Sequence, residues 1–476
     1  MTHSPAPPEV SPTGSAWQEL LPPMSAHEAA LEANRCLYCY DAPCMQACPT
    51  HIDIPTFIRK ISTQNLRGSA RTILEANFLG GTCARVCPVQ ELCEGACVLG
   101  ADHQPIAIGR LQRYAVDHYH EYSQERGLAM FVPGAPSGKS VAVVGSGPAG
   151  ISAAAELAKA GHAVTLLEKR ELAGGLSTYG IVTLREPIKV AQREVEAVRA
   201  LGVQVQTGRE LTGAAELDIL LAEHDAVFLG LGLGAVPAMG IPGEEHLLDG
   251  LEFIEAAKLN PHGLKPGRRT LVIGAGNTAI DAATMACRAG AEVTMVYRRS
   301  EREMTAYRHE YDFALHEGIA FTFLTQPIAV LTEGGRVTGL KCVRMALGTP
   351  DASGRARPEP VQGSEFVIEC ETVIRAIGQE KPALAELLGL ELEGGYIRVN
   401  ADLQTSLPRV WAGGDGVRVR GSASTVMAVQ DGKIAAAAIG AALGSGGGRV
   451  QLKPEVPAEV RQLALYTEAH PEAPHA

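Results

Sequence analysis

The sequence predicts an α/β protein: a small helical N-terminal domain, then two domains of alternating strands and helices, the second inserted into the first. Three observations predict it. Eight of the eleven cysteines fall between Cys36 and Cys97, among segments of helical apolar spacing. An apolar run, a glycine turn, a helix and a second apolar run follow one another from Ser140, and again from Thr270. Between Tyr396 and Leu443 a strand, a Gly-Gly-Asp turn and an Ala-rich helix stand without an opening half, so they close a domain begun earlier.

At 476 residues the chain exceeds what one core holds, and about 150 residues per domain suggests three domains. The 52 glycines and the 5% aromatic content suit many tight strand-to-helix turns rather than an all-β sandwich. A formal charge of -11 argues against a polyanionic partner such as nucleic acid. Met1 to Gly14 lacks a basic segment followed by an apolar core, so no secretion signal is expected. Ile434 to Leu443, the most apolar long stretch, is far short of the about 20 residues of a membrane span. The expectation is a cytoplasmic protein without a membrane segment. In a reducing compartment, crowded cysteines point to metal or redox work rather than to disulfides.

In chain order, residues 1–24 read as a disordered tail and residues 25–135 as the helical cysteine domain, with helices over Ile54 to Ile61 and Ala70 to Phe78. Residues 136–238 open a nucleotide-binding domain, with strands at Ser140 to Val144 and Ala163 to Leu167 around a helix at Ile151 to Ala160. Residues 239–379 repeat the unit with Thr270 to Ile273, Ala279 to Ala289 and Glu292 to Tyr297. Residues 380–446 close the first domain, and 447–476 read as a flexible tail.

The first glycine turn is Gly145-Ser146-Gly147-Pro148-Ala149-Gly150. Its first glycine permits the tight turn, its second lets backbone approach a pyrophosphate, and its third allows close helix-strand packing. Glu168 ends the following strand, eighteen residues past Gly150, where a carboxylate can accept hydrogen bonds from an adenosine ribose. The bland alternative, a mere glycine-rich turn, does not account for strand, helix and acid all in register. The second turn, Gly274-Ala275-Gly276-Asn277-Thr278-Ala279, is followed by Tyr297-Arg298-Arg299 where an acid would serve a 2'-hydroxyl. Arginine there suits a 2'-phosphate, hence NADPH, with NADH and a solvated arginine pair as the alternatives. Two sites of opposite charge imply one bound flavin dinucleotide, FAD, and one exchanging nicotinamide dinucleotide. Gly414 and Asp415, in Trp411-Ala412-Gly413-Gly414-Asp415, resemble the element of two-dinucleotide flavoproteins whose Asp approaches the ribityl chain.

Cys36, Cys39, Cys44 and Cys48 are spaced C-x2-C-x4-C-x3-C-P, and Cys83, Cys87, Cys93 and Cys97 are spaced C-x3-C-P-x4-C-x3-C. Zinc knuckles pair C-x2-C units across a loop, whereas closely stepped thiolates followed by Pro resemble ferredoxin ligation. With a flavin in the same chain, iron-sulfur clusters would make a two-to-one electron converter.

Cys-Leu-Tyr-Cys-Tyr-Asp-Ala-Pro-Cys at 36–44, Cys-Ala-Arg-Val-Cys-Pro at 83–88 and Ile-Gly-Arg-Leu-Gln at 108–112 carry a family likeness. The chain resembles the flavin and NAD(P)H half of the dihydropyrimidine dehydrogenases, close to the separate bacterial subunit, and more distantly the glutamate synthase small subunit. The resemblance spans Ser25 to Leu443 and implies an α-helical Fe-S domain followed by two Rossmann-like dinucleotide-binding domains, the NAD(P) domain inserted in the FAD domain. It implies two 4Fe-4S clusters, one on Cys36, Cys39, Cys44 and Cys97, the other on Cys48, Cys87, Cys93 and Gln112, with Cys83 spared. It further implies FAD contacts from Ser146 to Gly150, Glu168, Leu176 and Arg185, and NADP contacts from Gly276 to Ala279, Arg298, Arg299, Ala376, Ile377 and Gly378. Glutamate-synthase-like chains often carry Leu-Glu where this chain has Leu111-Gln112. No segment here could form a (β/α)8 barrel of about 250 residues. The expected partner is therefore an FMN-containing, pyrimidine-reducing subunit built on such a barrel. A glutamate synthase-like small subunit and a non-catalytic redox sensor are the competing readings.

Overall fold

The computed structural model describes residues 17–126, 129–350, 356–417 and 423–444. Residues 1–16 of the expected N-terminal tail and the whole of the expected tail 447–476 lie outside the described residues. The chain divides into two compact units: Pro22–Thr178 with Lys189–Leu233 and Lys381–Ala476, and Met1–Leu21 with Tyr179–Ile188 and Gly234–Glu380. Most of the second unit is a segment that leaves the first after Leu233 and returns to it at Lys381, and Met1–Leu21 and Tyr179–Ile188 join it.

The first unit holds a five-stranded parallel sheet in the order Val410–Ala412, Ala226–Leu229, Ser140–Val144, Ala163–Glu168, Gln204–Thr207. Strands buried on both faces read as continuous apolar runs, and Val141, Ala142 and Val143 are fully buried. The helices Pro148–Lys159 and Thr425–Ala442 lie against each other so closely that a Cβ on Gly432 would stand 2.3 Å from the Ala149 carbonyl. The cysteine-bearing part is helical: Ala26–Ala33, Pro43–Gln46, Ile54–Ser62, Leu66–Ala76, Gly80–Val86 and Ile108–Arg126. Asp53 caps Ile54–Ser62 by accepting the Thr56 N–H, and Pro55 suits its first turn. Ile54, Phe57, Ile58 and Ile61 form its buried stripe, each contributing about 2 kcal/mol of burial.

The helical part and the flavin-type sheet share one core, because Phe78, Leu79 and Cys83 pack in the same cluster as Leu157, Phe228, Trp411 and Val429. Buried Glu194, on the helix Ile188–Ala200, accepts the N–H groups of Gly81 and Thr82, both at 2.9 Å, and fixes the start of the helix that carries Cys83.

The second unit holds another five-stranded parallel sheet, ordered Leu248–Asp249, Thr372–Arg375, Arg269–Ile273, Glu292–Val296, Ala320–Thr322. An antiparallel sheet accompanies it, in which Arg336–Pro350 pairs with Thr325–Glu333, Ala356–Pro360 and Phe366–Glu369. Trp17 and Leu20, within the expected N-terminal tail, pack on this unit's core, and the Leu20 N–H donates to the Leu184 carbonyl at 2.8 Å.

Candidate redox centre

Each parallel sheet presents its glycine turn at the carboxyl edge, where ligands of open α/β sheets bind. In the first unit Gly145 has φ +92, and a Cβ there would meet the Gly230 carbonyl oxygen at 2.3 Å; on Gly150 it would meet the Gly145 carbonyl at 1.9 Å. On Gly147 a Cβ would meet nothing within 4 Å. The backbone is therefore tight where the turn packs on itself and open where a pyrophosphate would lie. Gly147 is also the N-cap of Pro148–Lys159 and offers no side-chain cap, so the helix N-terminus is left to an anion. Glu168 is buried and accepts the Ser146 N–H at 3.1 Å, the Ser146 hydroxyl and, at 2.8 Å, the Arg170 N–H. Ser146 Oγ in turn accepts the Gly174 N–H. Gly414 gives its N–H to Asp431 at 2.9 Å, and Asp415 begins the turn Asp415–Val417 beside it. Leu176 starts the short helix Leu176–Tyr179 and is partly exposed.

Arg185 is not in this unit. It belongs to the other, where its guanidinium pairs with Asp281 at 2.9 Å and Glu310 at 2.8 Å. Burial pushes the Glu310 carboxyl up to about 7, opposed by Arg185.

The second turn repeats the geometry with different partners. Gly274 has φ +133, and a Cβ there would lie 2.1 Å from the Ala376 carbonyl, so the segment Ala376–Ile377–Gly378 closes over the turn. Gly276 caps Asn277–Arg288 without a side-chain bond, and Asn277 Oδ1 accepts the Tyr307 N–H. Thr278 follows it on the first turn, and Ala279 is fully buried. Past the strand Glu292–Val296, Arg298 is exposed, and Arg299 has a buried Nε with no hydrogen-bond partner. Nothing in the spacing of the sequence pointed to Thr305, whose hydroxyl stands 3.2 Å from where a Cβ on Gly276 would be.

The cysteines surround two cavities, each of about 390 Å³ including its open mouth. Cys36, Cys39, Cys44 and Cys97 line the first with apolar neighbours, among them Leu37, Ile58 and Leu99. Cys48, Cys83, Cys87, Cys93 and Gln112 line the second with Asn77, Leu92 and Val426. Ile54 lines both. Among the described residues no three or more His, Cys, Asp or Glu side chains are placed to hold a single metal ion. A zinc site draws its thiolates to about 2.3 Å of one point, whereas cysteines ringed around a cavity fit a cluster of several irons.

Burial raises the thiols of Cys36, Cys39 and Cys93, and that of Cys44 to about 12, so the thiolates a cluster needs form only with cationic compensation. Cys87 is raised first by its hydrogen bond with Cys83. The Ile106 N–H reaches Cys97 Sγ at 3.5 Å, the kind of backbone donation that supports a ligating sulfur. Gln112 donates through Nε2 to the Gly80 carbonyl at 2.8 Å, which leaves its Oε1 and a second Nε2 hydrogen for the cavity. Lys433 ties the cages to the flavin-type helix Thr425–Ala442, its buried ammonium donating to the Thr50 and Ala76 carbonyls.

The pyridine nucleotide-disulphide oxidoreductase model matches residues 139–432, more than half of the chain. The chain belongs to this family. Ahead of the oxidoreductase region, residues 14–124 match the dihydropyrimidine dehydrogenase domain II, 4Fe-4S cluster, family. The two families bring FAD, NAD(P)H and 4Fe-4S clusters to this chain. The chain is 37% identical over 452 residues to the NADP(+)-dependent formate dehydrogenase subunit beta of Moorella thermoacetica, covering 89% of itself but 63% of that protein. It is 34% identical to the glutamate synthase [NADPH] small chain of Escherichia coli K12, covering 88% of itself and 92% of that chain. The NAD-dependent dihydropyrimidine dehydrogenase subunit PreT of the same strain is 35% identical, over 90% of this chain and 97% of PreT. These relatives bear out the family likeness read from the cysteine runs. In fold, this oxidoreductase resembles Mycobacterium tuberculosis FprA, with a TM-score of 0.54 at 19% identity over 70% of this chain and 90% of that one. Among the described residues no helix is long and apolar enough to cross a membrane.

Proposed function

We propose that this chain is an electron-input subunit: it takes hydride from NADPH onto FAD and passes electrons through two 4Fe-4S clusters to a partner that reduces uracil or thymine to 5,6-dihydropyrimidines. The observation that carries the reading is one compact unit that holds the flavin-type turn and both cysteine cages, with the helix of Cys83 packed into the core of the flavin-type sheet. Bound there, flavin and clusters supply the conversion of a two-electron donor into single electrons.

The chain's residues have separate tasks. Gly145 to Gly150, Glu168, Gly414 and Asp415 hold the flavin dinucleotide, and Gly274 to Ala279, Arg298 and Arg299 hold the nicotinamide dinucleotide. Cys36, Cys39, Cys44 and Cys97 hold one cluster, and Cys48, Cys87, Cys93 and Gln112 the other. The lining of the two cavities supports the separation into two groups, with Cys83 lining the second cavity beside Gln112. Val426, 1% exposed, covers the second cage from the flavin-type helix, while Leu37 and Val98 of the first are 58% and 50% exposed. That favours entry at the second cage and exit at the first. The partner carries FMN on a (β/α)8 barrel. The resemblance to PreT, at 97% of its length, supports it, and Gln112 favours it over the second reading, a glutamate synthase-like small subunit.

The test is anaerobic purification with assays for iron and FAD, then titration with NADPH and NADH. About eight irons, one FAD, bleaching by NADPH and no uracil reduction without the barrel partner are expected. Zinc in place of iron, or uracil turnover by this chain alone, would overturn the reading. Cys83→Ser should keep its iron, since Cys83 is the spared thiol.

A further inference from the structure

We infer that Asn77 is a positioning residue of the second cage, its side-chain N–H donating to a sulfur of the cluster held there and raising that cluster's reduction potential. Asn77 follows the helix Leu66–Ala76 as its C-cap and is completely buried. Its Oδ1 accepts the Leu79 N–H at 3.0 Å, which assigns the two ends of the amide. The other end, Nδ2, is buried and has no partner, and the residue lines the second cavity. A buried amide donor left unmade is costly, so the position calls for an acceptor in the cavity. Gln112, the other amide there, is already anchored by one Nε2 hydrogen donated to the Gly80 carbonyl, whereas the Asn77 Nδ2 donates to nothing. The first cavity is lined by cysteines and apolar side chains, with no amide among them. Hydrogen bonds to the sulfurs help set cluster potentials, so Asn77 adds a shift to the potential of the second cage beyond whatever its Gln112 ligand sets.

The inference rests on the cluster reading above, and the wild-type iron content tests that reading separately. Absence of iron would sink both, whereas iron without an effect at Asn77 would sink only this one. The experiment is an anaerobic redox titration followed by EPR, on the holoprotein and on Asn77→Ser, which keeps an oxygen near the Leu79 N–H but lacks Nδ2. One midpoint should fall, the other stay, and iron per chain remain unchanged. Both midpoints unmoved, or both displaced together, would overturn it. If Asn77→Ser leaves the second cage without iron, pulsed EPR of wild-type protein carrying 15N-asparagine decides. Coupling of one reduced cluster to an asparagine side-chain nitrogen is expected, and its absence would overturn the inference.

Discussion

The two glycine turns lie at the same place in their sheets, and two of their differences bear on the dinucleotide. The third position is Gly150 in one and Ala279 in the other, and the second strand leads into Glu168 in one and Arg298-Arg299 in the other. In the first turn Gly150 packs on the turn's own carbonyl, leaving no room for a Cβ. In both turns the first glycine meets a neighbouring carbonyl, Gly145 that of Gly230 and Gly274 that of Ala376, but in the second turn the third residue is alanine. Glu168 is fastened to Ser146 and Arg170 and so belongs to the turn itself. Arg298 stands exposed past its strand. On the proposed assignment, the turn of the bound flavin dinucleotide is braced by its own acid, whereas the turn of the exchanging nicotinamide dinucleotide presents charge outward.

The largest effect that would break this contrast is Gly150→Ala. It should cost about 3 kcal/mol, by overpacking against a backbone carbonyl that cannot move aside. Thermal unfolding and FAD content read it, and full flavin with an unchanged melting temperature would refute the account. Next comes Glu168→Gln, whose amide cannot accept all three donors. A charge-assisted hydrogen bond is worth about 1.5–3 kcal/mol, so FAD should bind about tenfold or more weaker, measured by equilibrium release. Arg298→Ala with Arg299→Ala should lower the NADPH-to-NADH ratio of kcat/KM by about tenfold; an unchanged ratio would make these a solvated pair. The smallest effect is Ala279→Gly, about 0.5–1 kcal/mol, with FAD retained.

Much of this was legible in the sequence where local pattern and tertiary role coincide. The strand Ser140–Val144 was read to the residue, since a continuous apolar run between Gly138 and Gly145 has few other uses. The helix predicted from Ile151 begins at Pro148, because Pro at a first helical position reads locally as a break. The antiparallel strands between Thr325 and Glu369 were not singled out. They expose one side, as the mixed burial of Thr325–Glu333 illustrates, and so lack an apolar run. Arg185 carries no local sign of its partners Asp281 and Glu310, which lie far along the chain.

The sequence by itself determined the fold class, the two turns and the presence of redox-type cysteines, because glycine steric needs, strand periodicity and cysteine spacing act over a few residues. Spacing alone did not set Cys97 with Cys36, Cys39 and Cys44; the resemblance did, and in the structure all four line one cavity. Only the tertiary structure decided that Val426 lines the second cage from the flavin-type helix, that Lys433 of that helix donates to the Ala76 carbonyl, and that Asn77, with an unpartnered Nδ2, lines that cage too. Those relations join segments tens to hundreds of residues apart, and packing into one core, not local spacing, sets them.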